Sequence, residues 1–180
     1  MKKLFSISIL SIFICSCKSG TGSESGSTST AVSPAKDTLT YAFKATYSSD
    51  ITVPGDPLIA QKVLQVWKMF ETNQVDSMKP YFADSVTYED AGGMRYHGPT
   101  AGLLAFAKQD ISGLDSMRFD ISAWQSAHVN DKNDDWVNIW STERRYPKKG
   151  NPDTVLMQEN WEVKGGKVIY FNQFLSKLRR

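Results

Sequence analysis

Cysteine is scarce in this sequence, and its placement excludes several kinds of chemistry. The chain of 180 residues contains two cysteines, Cys15 and Cys17, and none follows Cys17. A domain that begins at Cys17 after processing therefore has no disulfide and no thiol beyond its first residue. We exclude a cysteine nucleophile and a thiolate zinc site from the folded part of the chain.

Excess charge and histidine are also lacking. Lysine and arginine together number 21, aspartate and glutamate 19, and histidine 2. Without Lys2 and Lys3, basic and acidic residues balance at 19 each, and no basic patch is interleaved with aromatic residues, so we expect no nucleic-acid binding. Metal-ligand spacing, a phosphate-binding glycine loop and a nucleophile elbow are missing too, so we expect neither a metal nor a cofactor.

Long hydrophobic runs are absent except near the start. The apolar run of residues 4–15 follows two lysines and is too short to span a bilayer, which favours a cleaved export signal. Ile14-Cys15-Ser16-Cys17 resembles a bacterial lipobox, so we predict a signal peptide over residues 1–17 and lipidation of Cys17. An ordinary secretory signal with chance cysteines is the alternative. From the lipobox we expect a lipid-anchored protein of the cell envelope. Because residue 18 is not acidic, we expect the outer membrane, with the domain facing the periplasm.

The sequence after the predicted signal divides into three parts. Residues 18–37 are rich in serine, glycine and threonine, which predicts a flexible tether. Residues 38–53 alternate apolar and polar side chains and predict an extended arm or strand. Residues 54–180 form the predicted folded domain.

The domain begins with helix signals and continues with strands. Asp56 and Pro57 predict the start of a helix that ends near Thr72, a short helix follows from Asp76, and a third runs from Pro99 to Ile111. Aromatic and β-branched alternation predicts strands over 85–90, 94–98, 117–129, 135–146, 153–163 and 167–176. This order predicts an α+β fold with helices on one face of a curved antiparallel sheet.

Three segments carry a resemblance to a known group. The stretches FADSVTYED, HGPTAGLLAF and VKGGKVIYFNQF resemble the nuclear transport factor 2-like superfamily, which includes ketosteroid isomerases and SnoaL-type polyketide cyclases. The resemblance covers roughly residues 56–176. It implies a cone: a bent sheet wrapped by three helices, with a pocket open at one end.

The resemblance to ketosteroid isomerases also implies site residues. Asp90 takes the place of the general base, and Glu159 that of a protonated acid that donates to a substrate oxyanion. The third position, a tyrosine in that group, is Val66 here, and its neighbour Trp67 has no phenol hydroxyl. Each acid has another interpretation: Asp90 precedes Ala-Gly-Gly and suits a turn, and Glu159 suits a pocket rim beside a basic side chain.

Several aromatic and apolar side chains are candidates for the pocket wall. Alternation places Glu159 on one face with four apolar residues, and Trp136 and Trp140 on a wide aromatic face of the preceding strand. Whether that tryptophan face lines the pocket or forms a core or dimer surface stays open. The candidate pocket residues are Tyr88, Trp67, Phe106, Trp140, Met157 and Trp161.

Two functions follow. The first is a binding or accessory domain that holds a small apolar molecule or docks a partner protein, without catalysis. The alternative is an isomerase, cyclase or dehydratase that uses Asp90 as base and Glu159 as acid. A structural homodimer with a filled cone is a third possibility.

Overall fold

The structure, a computed structural model, describes residue 42 and residues 44–177. The predicted signal peptide, the lipidation site at Cys17, the tether and much of the arm lie outside these residues. Within the described part, no helix is long and apolar enough to cross a membrane. The helices are α1 Pro57–Glu71, a 3₁₀ helix Val75–Tyr81, and α2 Thr100–Ile111. The strands are β1 Ile51–Thr52, β2 Phe82–Asp90, β3 Arg95–Pro99, β4 Leu114–Val129, β5 Asp134–Pro147, β6 Asp153–Lys164 and β7 Lys167–Lys177.

The strands form one seven-stranded curved sheet in the order β1-β4-β5-β6-β7-β2-β3. Consecutive strands from β4 to β7 pair antiparallel, as the sequence predicts. The pairing of β2 with β7 is parallel, which was not predicted, and it brings Asp90 opposite Gln173. The predicted α+β class and cone architecture are confirmed.

Local sequence signals account for the element boundaries. The Asp56 side chain accepts the Leu58 amide at 2.8 Å, which confirms Asp56 as the cap of α1. Gly165 and Gly166 both have positive φ, as a two-residue hairpin turn between β6 and β7 requires. The predicted second helix is a 3₁₀ helix containing Pro80, which removes one backbone donor.

The core lies between the helices and one face of the sheet. Along β5, alternate residues Val137, Ile139, Ser141 and Glu143 are buried, and the same holds for Val155 to Val163 in β6. Some of these residues, together with residues of the inner stripe of α1, line the site described below. On the other face, residues before α1 pack near one end of the sheet, where the Tyr47 ring meets Trp136 edge-on at 6.0 Å between ring centroids.

Candidate functional site

A cavity of about 370 Å³ lies between the inner sheet face and the helices. Its volume is near the lower end of the range of about 300 to 1,000 Å³ that small-molecule pockets occupy. The inner part is apolar and aromatic, and the Trp161 and Phe171 rings stack there at 4.4 Å between centroids. Apolar wall residues include Val66, Trp67, Phe82, Leu103, Met157 and Trp161.

Glu159 is the polar residue at the centre of this apolar wall. Its neighbours on the same face of β6 are Met157 and Trp161, and it is 5% exposed. The indole Nε1 of Trp161 donates to Glu159 Oε2 at 2.7 Å, and the amide Nε2 of Gln173 donates to Oε1 at 2.9 Å. Both carboxyl oxygens therefore receive a hydrogen bond from the protein.

Burial decides the protonation of Glu159. Removal from water raises its pKa to about 8, although the hydrogen bonds from Trp161 and Gln173 favour the ionised form. The group is therefore mostly a neutral acid near pH 7. A neutral acid has an O–H to donate, and both described protein partners of Glu159 are themselves donors.

Tyr88 extends the polar chain along the cavity wall. Its hydroxyl donates to Gln173 Oε1 at 3.1 Å, which turns the Nε2 of the same amide toward Glu159. Burial raises the pKa of Tyr88, and the charge of Asp90 raises it further, so the phenol stays protonated. The amide of Gln173 is thus held in one orientation by its two neighbours.

Asp90 serves the turn between β2 and β3 and also borders the cavity. Its Oδ1 accepts the backbone amide of Met94 at 2.8 Å, as the turn interpretation predicts. A Cβ on Gly92 would lie 3.1 Å from that oxygen, so the glycine leaves room for it. Oδ2 has no hydrogen-bond partner among the described residues, and the side chain lines the cavity near Met94 and Gln173.

A charged network forms another part of the cavity wall. Arg145 donates to both carboxylate oxygens of Asp110, at 2.9 and 2.8 Å, and through Nε to Glu143 at 2.8 Å. Burial raises the pKa of Glu143, while the charge and hydrogen bond of Arg145 oppose that shift. The network ties α2 to β5 in the cavity wall, which Asp153 and Lys177 also line.

The structure brings most of the candidate residues together. Asp90, Glu159, Tyr88, Trp67, Phe106, Met157 and Trp161 all line the cavity. Trp140, the remaining candidate, does not line this cavity. The residues of β5 that line the cavity are Glu143 and Arg145, and alternation turns Trp140 to the opposite, partly exposed face.

Sequence reasoning missed Gln173 and the acid–arginine–acid network of Asp110, Arg145 and Glu143. Gln173 carries the same signal as Glu159, a polar residue between apolar ones on one strand face, Phe171 and Leu175. Its partnership with Glu159 depends on the β6–β7 register. Arg145 and Glu143 alternate on β5, whose inner face the sequence left undecided. Across the described part of the chain, no group of three or more histidine, cysteine or acidic residues is arranged to hold a metal ion.

Comparison with known proteins identifies the fold. No family model and no curated protein sequence matches the chain. Among solved structures, it resembles an LEH-like epoxide hydrolase from M. tuberculosis (TM-score 0.55, 13% identity, 66% of this chain and 82% of that one). It also resembles a putative SnoaL-like polyketide cyclase from Shewanella denitrificans (TM-score 0.54, 14% identity, 67% and 92%). A third is an NTF2-like protein of unknown function from Burkholderia pseudomallei (TM-score 0.55, 15% identity, 66% and 90%).

Proposed function

Starting from the nuclear transport factor 2-like cone fold of this chain, we propose that the domain binds a small, largely apolar molecule that carries a hydrogen-bond-accepting oxygen. The observation that supports this most directly is Glu159, a buried acid in an apolar cavity with both oxygens already accepting protein N–H groups. A neutral acid in that position has its own O–H to offer. An oxygen of the ligand is the partner this donor would take.

The test compares two ring compounds of the same shape. The probe 1-tetralone has a carbonyl oxygen, and tetralin is the corresponding hydrocarbon. We expect the protein to bind 1-tetralone about tenfold more tightly, as one hydrogen bond in a dry site would give. Glu159→Leu should remove the preference, and high pH should weaken it as Glu159 loses its proton. If neither compound raises the unfolding temperature, the cavity does not bind molecules of this kind and the proposal is wrong.

A second candidate function is proton transfer at carbon. Asp90 and Glu159 line one cavity and lie opposite Gln173 on its two neighbouring strands, and Asp90 Oδ2 has no described partner. Asp90 would remove a proton from the carbon next to a carbonyl. The C–H electron pair then forms a carbon–carbon double bond, and the carbonyl pair moves onto oxygen, where Glu159 donates.

Deuterium exchange at the carbon next to the carbonyl of 1-tetralone, followed by NMR in D₂O, tests this second function. Asp90→Asn keeps an oxygen for the Met94 amide but removes the base. An enzyme would lose protein-dependent exchange in this variant while its affinity for 1-tetralone stays the same. Equal exchange in both proteins would show that Asp90 is not the base.

Lipid anchoring at Cys17 is part of the proposal. The support is the segment Ile14-Cys15-Ser16-Cys17 and the serine- and glycine-rich stretch that follows it. A cleaved, acylated Cys17 would hold the domain at an envelope membrane. Incorporation of labelled palmitate in a bacterial host should occur in the full chain and be lost in Cys17→Ser, with Cys15→Ser as the matched control. Equal labelling of all three proteins would contradict the assignment.

A further inference from the structure

Exposed apolar side chains gather at one end of the sheet. Strands β2, β5 and β7 finish at this end, and β4 and β6 begin there. Five large apolar side chains of this end are each at least 39% exposed: Met94, Tyr146, Leu156, Phe174 and Leu175. Single exposed apolar residues are ordinary on a folded protein, but a group of them marks a surface that contacts a membrane or another molecule.

The cavity reaches the surface among the same side chains. Met94, Phe106 and Leu175 line the cavity, and yet they are 39%, 43% and 48% exposed. A side chain that lies both in the cavity wall and in contact with solvent marks an opening of the cavity. We call this apolar surface around the opening the mouth surface, and it consists of Met94, Phe106, Tyr146, Leu156, Phe174 and Leu175.

Lysines lie at this end of the sheet as well. Lys148 and Lys149 follow β5, Lys177 ends β7, and all three are exposed. A lysine stem can lie along apolar surface while its ammonium group stays with water or phosphate. Two exposed acids, Asp115 and Asp153, share this end, so apolar contact is the main attraction and charge the smaller one. Apolar side chains beside lysines suit the boundary between the acyl chains and the headgroups of a bilayer.

We propose that the mouth surface docks on a lipid bilayer, with the cavity opening against the lipid. This inference rests on the proposed binding function and goes beyond it, because it names the source of the ligand. A largely apolar ligand partitions into the bilayer, since exposing its apolar area to water is unfavourable. A docked domain takes up such a ligand without passing it through water, whereas a protein on the same surface would cover the opening.

The chain before the domain is long enough for this docking. Residues 18–43 separate the predicted lipid on Cys17 from residue 44. Fully extended, a segment of that length spans about 90 Å, and a compact domain of this size is about 40 Å across. The predicted anchor would therefore hold the domain near the bilayer at high effective concentration and still let any of its faces reach the lipid.

The test uses the full chain in nanodiscs of phosphatidylcholine and phosphatidylglycerol, with ¹³C-labelled methionine methyl groups. A nitroxide-bearing lipid broadens the NMR signals of methyl groups that contact the bilayer. The matched control is Leu58→Met, since Leu58 is 60% exposed but lies just after Gly55, which bonds to Ser126 toward the opposite end of β4. We expect the Met94 signal to lose most of its intensity and the methyl group introduced by Leu58→Met to keep most of its own.

Variants outside the cavity wall identify the contacting surface. Leu156→Gln combined with Phe174→Gln removes two apolar side chains of the mouth surface that do not line the cavity. The broadening of Met94 should then largely disappear, while the affinity for 1-tetralone stays the same. The paired control, Val53→Gln with Leu58→Gln, changes two equally exposed apolar residues elsewhere and should leave the broadening intact.

The outcomes separate this inference from the function beneath it. If Met94 is broadened no more than the methyl group of Leu58→Met, the mouth surface does not contact the bilayer and the inference is wrong, whatever 1-tetralone does. Unchanged broadening after Leu156→Gln with Phe174→Gln also overturns it. Self-association that this pair of substitutions abolishes, without broadening of Met94, would assign the surface to a second copy of the chain instead. Broadening in a protein that binds neither 1-tetralone nor tetralin would support docking and overturn the proposed function.

Discussion

Gln173 and Glu159 lie directly opposite each other on β7 and β6, and Gln173 Nε2 donates to Glu159 Oε1 at 2.9 Å. Because Tyr88 holds the other end of the same amide, the nitrogen of Gln173 cannot turn away without breaking both contacts. The acid is thereby fixed in direction while burial keeps it neutral. A rigid, neutral donor in a dry wall is suited to select a ligand oxygen by position.

The stability of the domain should fall as pH rises from about 4.5 to about 8. Over this range the unfolded chain has an ionised Glu159, while the folded protein retains its proton up to about pH 8. The unfolded state then binds fewer protons, so the free energy of unfolding decreases with pH, by at most about 1.4 kcal/mol per pH unit from this group. Urea unfolding from pH 4.5 to 9 measures the slope.

In Glu159→Gln the slope should be shallower, because the side chain no longer titrates. Buried Glu143 has a raised pKa as well, so some decline remains, and the difference between the two proteins isolates Glu159. Parallel curves would mean that Glu159 ionises at the same pH in both states.

Removing the amide of Gln173 should raise the pKa of Glu159 further. Gln173→Leu deletes a hydrogen bond that favours the ionised carboxylate, and we expect an upward shift of about one unit. The carboxyl carbon signal of ¹³C-labelled Glu159 reports the titration. Phe174→Leu, at the next and half-exposed position, is the matched control and should leave the pKa unchanged. A lower pKa in Gln173→Leu would contradict this account.

Two substitutions of Asp90 should separate its turn role from its charge. Asp90→Asn keeps an oxygen that can accept the Met94 amide, so the free energy of unfolding should change little. Asp90→Ala removes the acceptor and should lower that free energy by about 1 kcal/mol. Chemical denaturation at one pH gives both values. Equal losses would show that the carboxylate charge, and not the turn hydrogen bond, matters to stability.

Neighbouring arginines on β5 should differ in their importance. Arg145→Met leaves Glu143 buried beside Asp110 without their shared cation, and should cost about 3 kcal/mol at pH 7. Arg144→Met breaks a more exposed pair with Asp120 and should cost less than about 1 kcal/mol. Urea titration of both variants makes the comparison. Similar losses of unfolding free energy would mean that the Arg145 network stabilises the domain no more than the exposed Arg144 pair does.

Local signals in the sequence were sufficient to predict much of the fold. The cap at Asp56 and the glycine turn at 165–166 each depend on a few adjacent residues, so composition and spacing reveal them. The parallel pairing of β2 with β7 joins distant segments and leaves no such local mark.

The same distinction applies to the candidate site: a pattern within one strand could be predicted from the sequence, and a contact between strands could not. Glu159 could be singled out because one strand shows it among apolar neighbours, but Gln173 becomes its partner only through the register of two strands. Trp140 does not line the cavity, and the sequence could not show this because alternation separates two faces without saying which is covered.

The position of β7 between β6 and β2 also bears on how the molecule is made. Asp90 and Gln173 are 83 positions apart, yet they belong to adjoining strands. As the chain is made from its N-terminus, β2 can pair with β3 but lacks its neighbour on the other side until β7 has been synthesised. Such distant pairing is slow to form and leaves strand edges open to aggregation in the meantime. A ligand can therefore contact the complete cavity wall only after β7 has joined the sheet.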